Sequence, residues 1–215
     1  MKKKWMRKAN GKNLKTKSMK TLLSLVLIGV VASNALAQNL KDSVPKEEPK
    51  TKLEAFQAKT GAVIIRGFST IGSIEGRFST SAQVECKEFT DASSGKKEYG
   101  VTITVTDRSS DYKRENTSYI DYDEIDSLLK GIDYIAKIDK NATKLDLFQA
   151  DYRTKGDLMV STFDDSDGKV QAAIQSGVYG SVSTYLSLDD LAVFKGLIQK
   201  AKGKLDSIRP DATKN

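Results

Sequence analysis

The sequence predicts an α+β fold of two tandem ββββα units, residues 61–140 and 141–208, each an antiparallel sheet covered by one helix. Three observations carry this prediction. Two stretches repeat apolar residues at helical spacing, short runs alternating apolar and polar residues precede each stretch, and the two strand-to-helix junctions match residue by residue.

In chain order, Gln38 to Lys52 holds Pro45 and Pro49 among charged residues and reads as a solvated tether, within a linker at 38–60. A short helix is expected over Leu53 to Lys59, stopped by Gly61. Strand pattern begins at Ala62 and runs to Glu75, with Gly67, Gly72 and Gly76 marking bulges or close backbone approaches. Ala82, Val84 and Cys86 alternate with Gln83, Glu85 and Lys87, so the apolar set shares one strand face. After the loop Asp91 to Gly95, Val101 to Thr106 alternates aliphatics inward with threonines outward. A strand over Lys113 to Ile120 then leads into a helix from Tyr122 to Ile138. Ile125, Leu128, Leu129, Ile132 and Ile135 form its stripe, and Asp121 with Glu124 reads as its capping box.

The order then recurs. Strands are expected over Leu145 to Thr154, Asp157 to Phe163, Val170 to Ile174 and Gly180 to Leu186, with a tight turn at Asp164 to Gly168. The second helix carries Leu188, Leu191, Phe194, Ile198, Ala201 and Leu205, capped by Ser187 and Asp190. Residues 209–215 are a tail. Ser118 to Ile125 lies over Thr184 to Leu191 hydroxyl for hydroxyl, Tyr for Tyr and cap for cap, which reads as an internal repeat.

This duplicated ββββα order, over Gly61 to Ile208, resembles that of the PUR-α and whirly single-stranded nucleic-acid-binding proteins. The resemblance implies the fold. Nucleic acid is not an expected partner, because the strands lack the dense Arg/Lys and aromatic platform that single-strand binding uses.

Residues 1–37 read as a signal peptide. Nine basic residues lead into the apolar run Leu22 to Ala32, and Ala35-Leu36-Ala37 is a small-x-small cleavage signature. The run is about 11 residues, where a membrane-crossing helix needs roughly 20, so no transmembrane segment is expected after cleavage. Removal changes the charge: nine of the 35 basic and none of the 28 acidic residues precede Gln38, leaving 26 against 28, a net charge of −2. The pI of 9.2 therefore describes the precursor. Trp5, the only Trp, leaves with the leader. The expected destination is the periplasm, cell envelope or extracellular space of a bacterium, and the sequons at Asn116 and Asn141 would count only in a eukaryotic source.

The chain holds no histidine, which excludes His-based triads and His metal ligands within it. Its single cysteine, Cys86, cannot form an intramolecular disulfide and reads as a small buried hydrophobe. Ser127-Leu128-Leu129-Lys130 and Lys59-Thr60-Gly61 fit S-x-x-K and K-T-G, but in the reverse of the order used by penicillin-interacting enzymes and without S-D-N between them. Asp164, Asp165 and Asp167 fail a calcium loop at both ends, where Phe163 and Ile174 stand. No catalytic, cofactor-binding or metal-ligating residue is assigned, and no cofactor is implied. The eight tyrosines remain as a ligand surface. The expected function is an exported, non-enzymatic binding or structural module for an envelope or extracellular protein or a small molecule. The alternative is a His-independent envelope hydrolase or transferase using carboxylate, Ser, Tyr or Lys chemistry. A cleft holding two convergent carboxylates with perturbed pKa values would favour that alternative.

Overall fold

Thr51 and Glu54 cap each other's backbone: the Glu54 N–H donates to Thr51 Oγ1 at 3.1 Å and the Thr51 N–H to Glu54 Oε2 at 2.9 Å. This reciprocal box starts α1 (Lys52–Gln57). The computed structural model describes residues 48–165 and 167–209, so the expected signal peptide, the part of the expected tether before Glu48 and the expected tail after Arg209 lie outside the described residues. Leu53 and Phe56 of α1 are buried against Phe89, with Ile64 and Tyr119 beside them, on one face of the first sheet.

That sheet is the antiparallel meander β1 (Ile64–Glu75), β2 (Thr80–Asp91), β3 (Lys97–Asp107) and β4 (Arg114–Asp121). A second meander contains β5 (Gln149–Arg153), β6 (Leu158–Asp164), β7 (Val170–Ser176) and β8 (Val182–Leu186). α2 (Ile125–Ile135) follows the first and α3 (Leu188–Ile208) the second, giving the expected α+β order of two ββββα units. Ala82, Val84, Cys86, Val101, Ile103 and Val105 from one sheet, and Leu158, Val160, Ala172 and Ile174 from the other, lie in one continuous core with both helices.

The helices change places. α3 packs mainly on β1, β2 and β3, whereas α2 packs on β5 and β6 and against α3. Each sheet is thus covered by the helix of the other unit. β4 runs straight into a 3-10 turn at Tyr122–Glu124 before α2, and only Ser187 separates β8 from α3.

Matched contacts fix the exchange. Thr162 Oγ1 on β6 donates to the Ile135 carbonyl at 2.9 Å, and Cys86 Sγ on β2 donates to the Ala201 carbonyl at 3.4 Å. A Cβ on Gly131 of α2 would lie 2.2 Å from the Tyr152 ring of β5, and one on Gly72 of β1 would lie 2.8 Å from Leu197 of α3. Ser118 Oγ bonds Ser176 Oγ at 2.8 Å while Thr184 Oγ1 bonds Thr80 Oγ1 at 2.7 Å. Ser118 and Thr184, Gly131 and Leu197, and Ile135 and Ala201 are each 66 residues apart.

Several expectations change. Asp121 does not cap α2: its carboxylate accepts from the Lys52 and Leu53 N–H groups at 2.8 and 3.1 Å, closing the start of α1. Glu124 accepts from the Lys155 N–H at 2.9 Å. The 3-10 turn leaves α2 to span Ile125–Ile135 alone, shorter than Tyr122 to Ile138. β5 starts at Gln149, which pairs with Phe163 one residue before β6 ends at Asp164; Leu145 and Leu147 stay exposed. Thr102 and Thr106 are buried although they share the outward face, since Glu85 and Tyr119 flank Thr102 across the ladders. The β1 bulge falls between Thr70 and Gly72, and Gly67 is an ordinary strand residue. Ser187 and Asp190 form the expected box at α3.

At the β3–β4 hairpin, the Ser109 hydroxyl and N–H, then the Arg114 guanidinium, hold the Asp107 carboxyl down to about 2. Asp91, bonded by Ser93 and Lys59, lies below the usual range in the same way. Both folded-state values are below the unfolded value of about 3.9. Their contribution is therefore complete above about pH 5 and is lost progressively as pH falls toward 2. Thermal midpoints measured by circular dichroism from pH 6 to 2 are expected to drop below about pH 5, with a shallower drop for Asp107→Asn; an unchanged slope in that variant would contradict the assignment.

Candidate functional site

A cleft of about 420 Å³ opens at one end of the first sheet, lined by Lys52, Gly95, Lys97, Glu98, Tyr99, Tyr122, Asp123 and Arg209. Four segments meet there: the start of α1, the β2–β3 hairpin with the beginning of β3, the 3-10 turn before α2, and the residue that ends α3. Pro210 follows Arg209 in sequence, and a residue before proline is driven out of the helical region. Accordingly Arg209 is extended, at φ −78° and ψ 132°, with its N–H still donating to the Leu205 carbonyl at 3.1 Å.

That turn lays the guanidinium over Tyr122, 3.6 Å from the ring centroid, and 5.9 Å from the centroid of Tyr99. Cation–π contact of this kind stabilises by about 0.5–2 kcal/mol and leaves the edges of the planar fork free. Tyr122 is itself fixed, because its hydroxyl donates to Asp206, which also accepts from Lys202 at 3.1 Å. The Tyr122 hydroxyl, then the Lys202 ammonium, hold the Asp206 carboxyl below its ordinary range. Burial pushes the Tyr99 phenol up, so it stays protonated at neutral pH.

The other charges of the cleft are paired. Lys52 Nζ lies 2.7 Å from Asp123, Lys97 Nζ 2.9 Å from Glu88, and Lys96 Nζ 3.5 Å from Glu98. The Lys52 hydrogen bond keeps Asp123 ionised. Among the described residues, no carboxylate forms an ion pair with Arg209, although its charge helps hold the nearby Asp206 carboxyl below its ordinary range.

The remaining sequence candidates are dispersed. Ser127 is exposed on α2, while Lys59 donates to Asp91 at 2.9 Å and lies over Phe56, so S-x-x-K and K-T-G build no common site. Cys86 is 4% exposed and its thiol is pushed up by burial, as a small core residue should be. It borders a smaller groove of about 270 Å³ between β1 and the end of α3, with Phe68, Leu205 and Ile208. Asp165 turns both carboxylate oxygens on its own hairpin, accepting from the Asp167 and Lys169 N–H groups and from Gln171. Asn116 accepts from Ser176 Oγ at 3.0 Å, which ties its side chain to the second sheet. Burial raises the Glu124 carboxyl, but Glu124 does not line the cleft.

The tyrosines divide by role. Tyr99 and Tyr122 face the cleft, Tyr119 packs beside α1, Tyr152 fills the space over Gly131, and Tyr185 meets Phe78 and Phe163 edge to face at 6.3 Å. Arg209 escaped the sequence reading because it falls at the first residue of the presumed tail; the signal was the proline after it. No family model, no curated protein and no solved structure matches this chain. Among the described residues, no helix is long and apolar enough to cross a membrane.

Proposed function

We propose that this chain is an exported, non-enzymatic binding module that takes its ligand in the cleft between Tyr99, Tyr122 and Arg209. One observation carries the reading: a half-buried guanidinium stacked on Tyr122 with no carboxylate partner among the described residues. Guanidinium edges left unpaired inside a concave site are an open recognition group. Lys52 keeps Asp123 ionised, so at neutral pH it could not serve as the proton donor of an acid–base pair in the cleft.

The contacts matched at Ser118/Thr184, Gly131/Leu197 and Ile135/Ala201 support a tandem duplication as the origin of the scaffold. Within that reading the cleft belongs to one half only. Leu188 stands where Tyr122 does in the other half. Ala201 matches Ile135, the last residue of α2, but α3 runs on to Ile208, about two further turns. This extension carries Lys202, Asp206 and Arg209 to Tyr122. The first unit's helix stops at Ile135 and has no counterpart of this extension, so Lys202, Asp206 and Arg209 are an addition of the second unit that completes a cleft at the end of the first sheet.

The test is retention. Full chain incubated with a small-molecule extract of the host envelope, freed of excess and denatured, is expected to release a bound compound that Tyr122→Ala fails to retain. Consumption of an extract component with release of product, abolished by Asp123→Asn, would instead establish the hydrolase or transferase reading.

A further inference from the structure

Resting on the cleft as the binding site, we infer that its ligand is a small molecule carrying a single carboxylate, held by the edge of the Arg209 fork. The stacked face of the guanidinium is occupied by Tyr122 and approached by Tyr99, so only its in-plane N–H groups are offered to a ligand. Those groups match a planar pair of oxygens, a geometry a carboxylate provides and a halide or an amide does not.

Charge sets the valence of the group. Lys52, Lys97 and Glu98 are each paired, with Asp123, Glu88 and Lys96, so Arg209, whose charge also acts on Asp206, supplies the single positive charge these pairs leave over. A monoanion cancels that surplus, whereas a phosphate dianion or a polyanionic strand would press negative charge against Glu98 and Asp123. The space is finite as well: about 420 Å³ lies within the range of small-ligand pockets. The Tyr99 and Tyr122 rings give the walls an apolar surface that suits a ligand with a flat or aliphatic body beside its acid group.

Arg209 also packs, so loss of binding alone would not separate recognition from folding. The experiment therefore titrates the full chain, at constant ionic strength, with benzoate, its neutral analogue benzamide and inorganic phosphate. The NMR signals of the Arg209 Nε–H and the Tyr122 ring serve as readouts. Benzoate is expected to shift both saturably, benzamide and phosphate to bind at least tenfold more weakly. Arg209→Lys, which keeps the charge and loses the fork, should weaken benzoate about tenfold, and Arg209→Gln should abolish the shift at Tyr122. Unchanged thermal midpoints in Arg209→Lys will show that the scaffold is intact. Equal binding of benzamide, stronger binding of phosphate, or full benzoate affinity in Arg209→Gln would each overturn the inference. So would an absence of binding by all three probes, and the retention test above would then still decide whether the cleft binds something else.

Discussion

Phe194→Ala is expected to lower the free energy of unfolding by about 3–5 kcal/mol, the usual cost of deleting a buried phenyl ring. Phe194 is fully buried on α3, within the one core that both sheets share. Because α3 lies mainly on β1, β2 and β3, the damage should appear in the first sheet although the residue belongs to the second unit. Hydrogen exchange on the variant should show amides of β1–β3 losing protection before those of β5 and β6. Leu128→Ala, on α2, should do the reverse at about 2–5 kcal/mol, loosening β5 and β6 first. Loss of protection in the strands of the same unit would contradict the exchange of helices.

The second large effect is a steric one with a built-in rescue. A Cβ on Gly131 would sit 2.2 to 2.6 Å from three ring atoms of Tyr152, closer than any side chain can stand. Gly131→Leu is expected to cost about 1–3 kcal/mol, since overpacking shifts the helix, the strand or the half-buried Tyr152 ring. Tyr152→Gly leaves a cavity and should cost a similar amount. The other half of the fold already contains the complementary arrangement, with Leu197 on the helix over Gly72 on the strand. The double variant Gly131→Leu, Tyr152→Gly therefore recreates a pairing this scaffold accommodates, and it should be more stable than either single variant by about 1–3 kcal/mol. Urea titrations of the four proteins give the coupling. Additive losses would show that the two interfaces are not equivalent.

How much was legible in the sequence follows from which interactions are local. Strand order and the α3 capping box depend on periodicity and on residues three apart, and Ser187 with Asp190 announced the helix correctly. Asp121 looked like the same signal, yet its carboxylate serves N–H groups 68 and 69 residues away, a choice that only tertiary packing decides. Exchange of the helices is invisible to periodicity too, because an amphipathic stripe states that it must be buried and not against which sheet. Tyr99 and Tyr122 were recognisable as members of a ligand surface, but nothing in their spacing pairs them. Arg209 joins them from the far end of the chain, through an extension of α3 whose residues on the cleft side are polar and so carry no apolar signal.

Native mass spectrometry of the chain recovered from the envelope fraction of its host tests most directly the proposal that Arg209 holds a ligand in an exported protein. The predicted spectrum contains a polypeptide beginning at Gln38 together with a small acid, and the added mass disappears in Arg209→Gln. A full-length chain still carrying Trp5, found with the cytoplasmic fraction and free of any added mass, would contradict it.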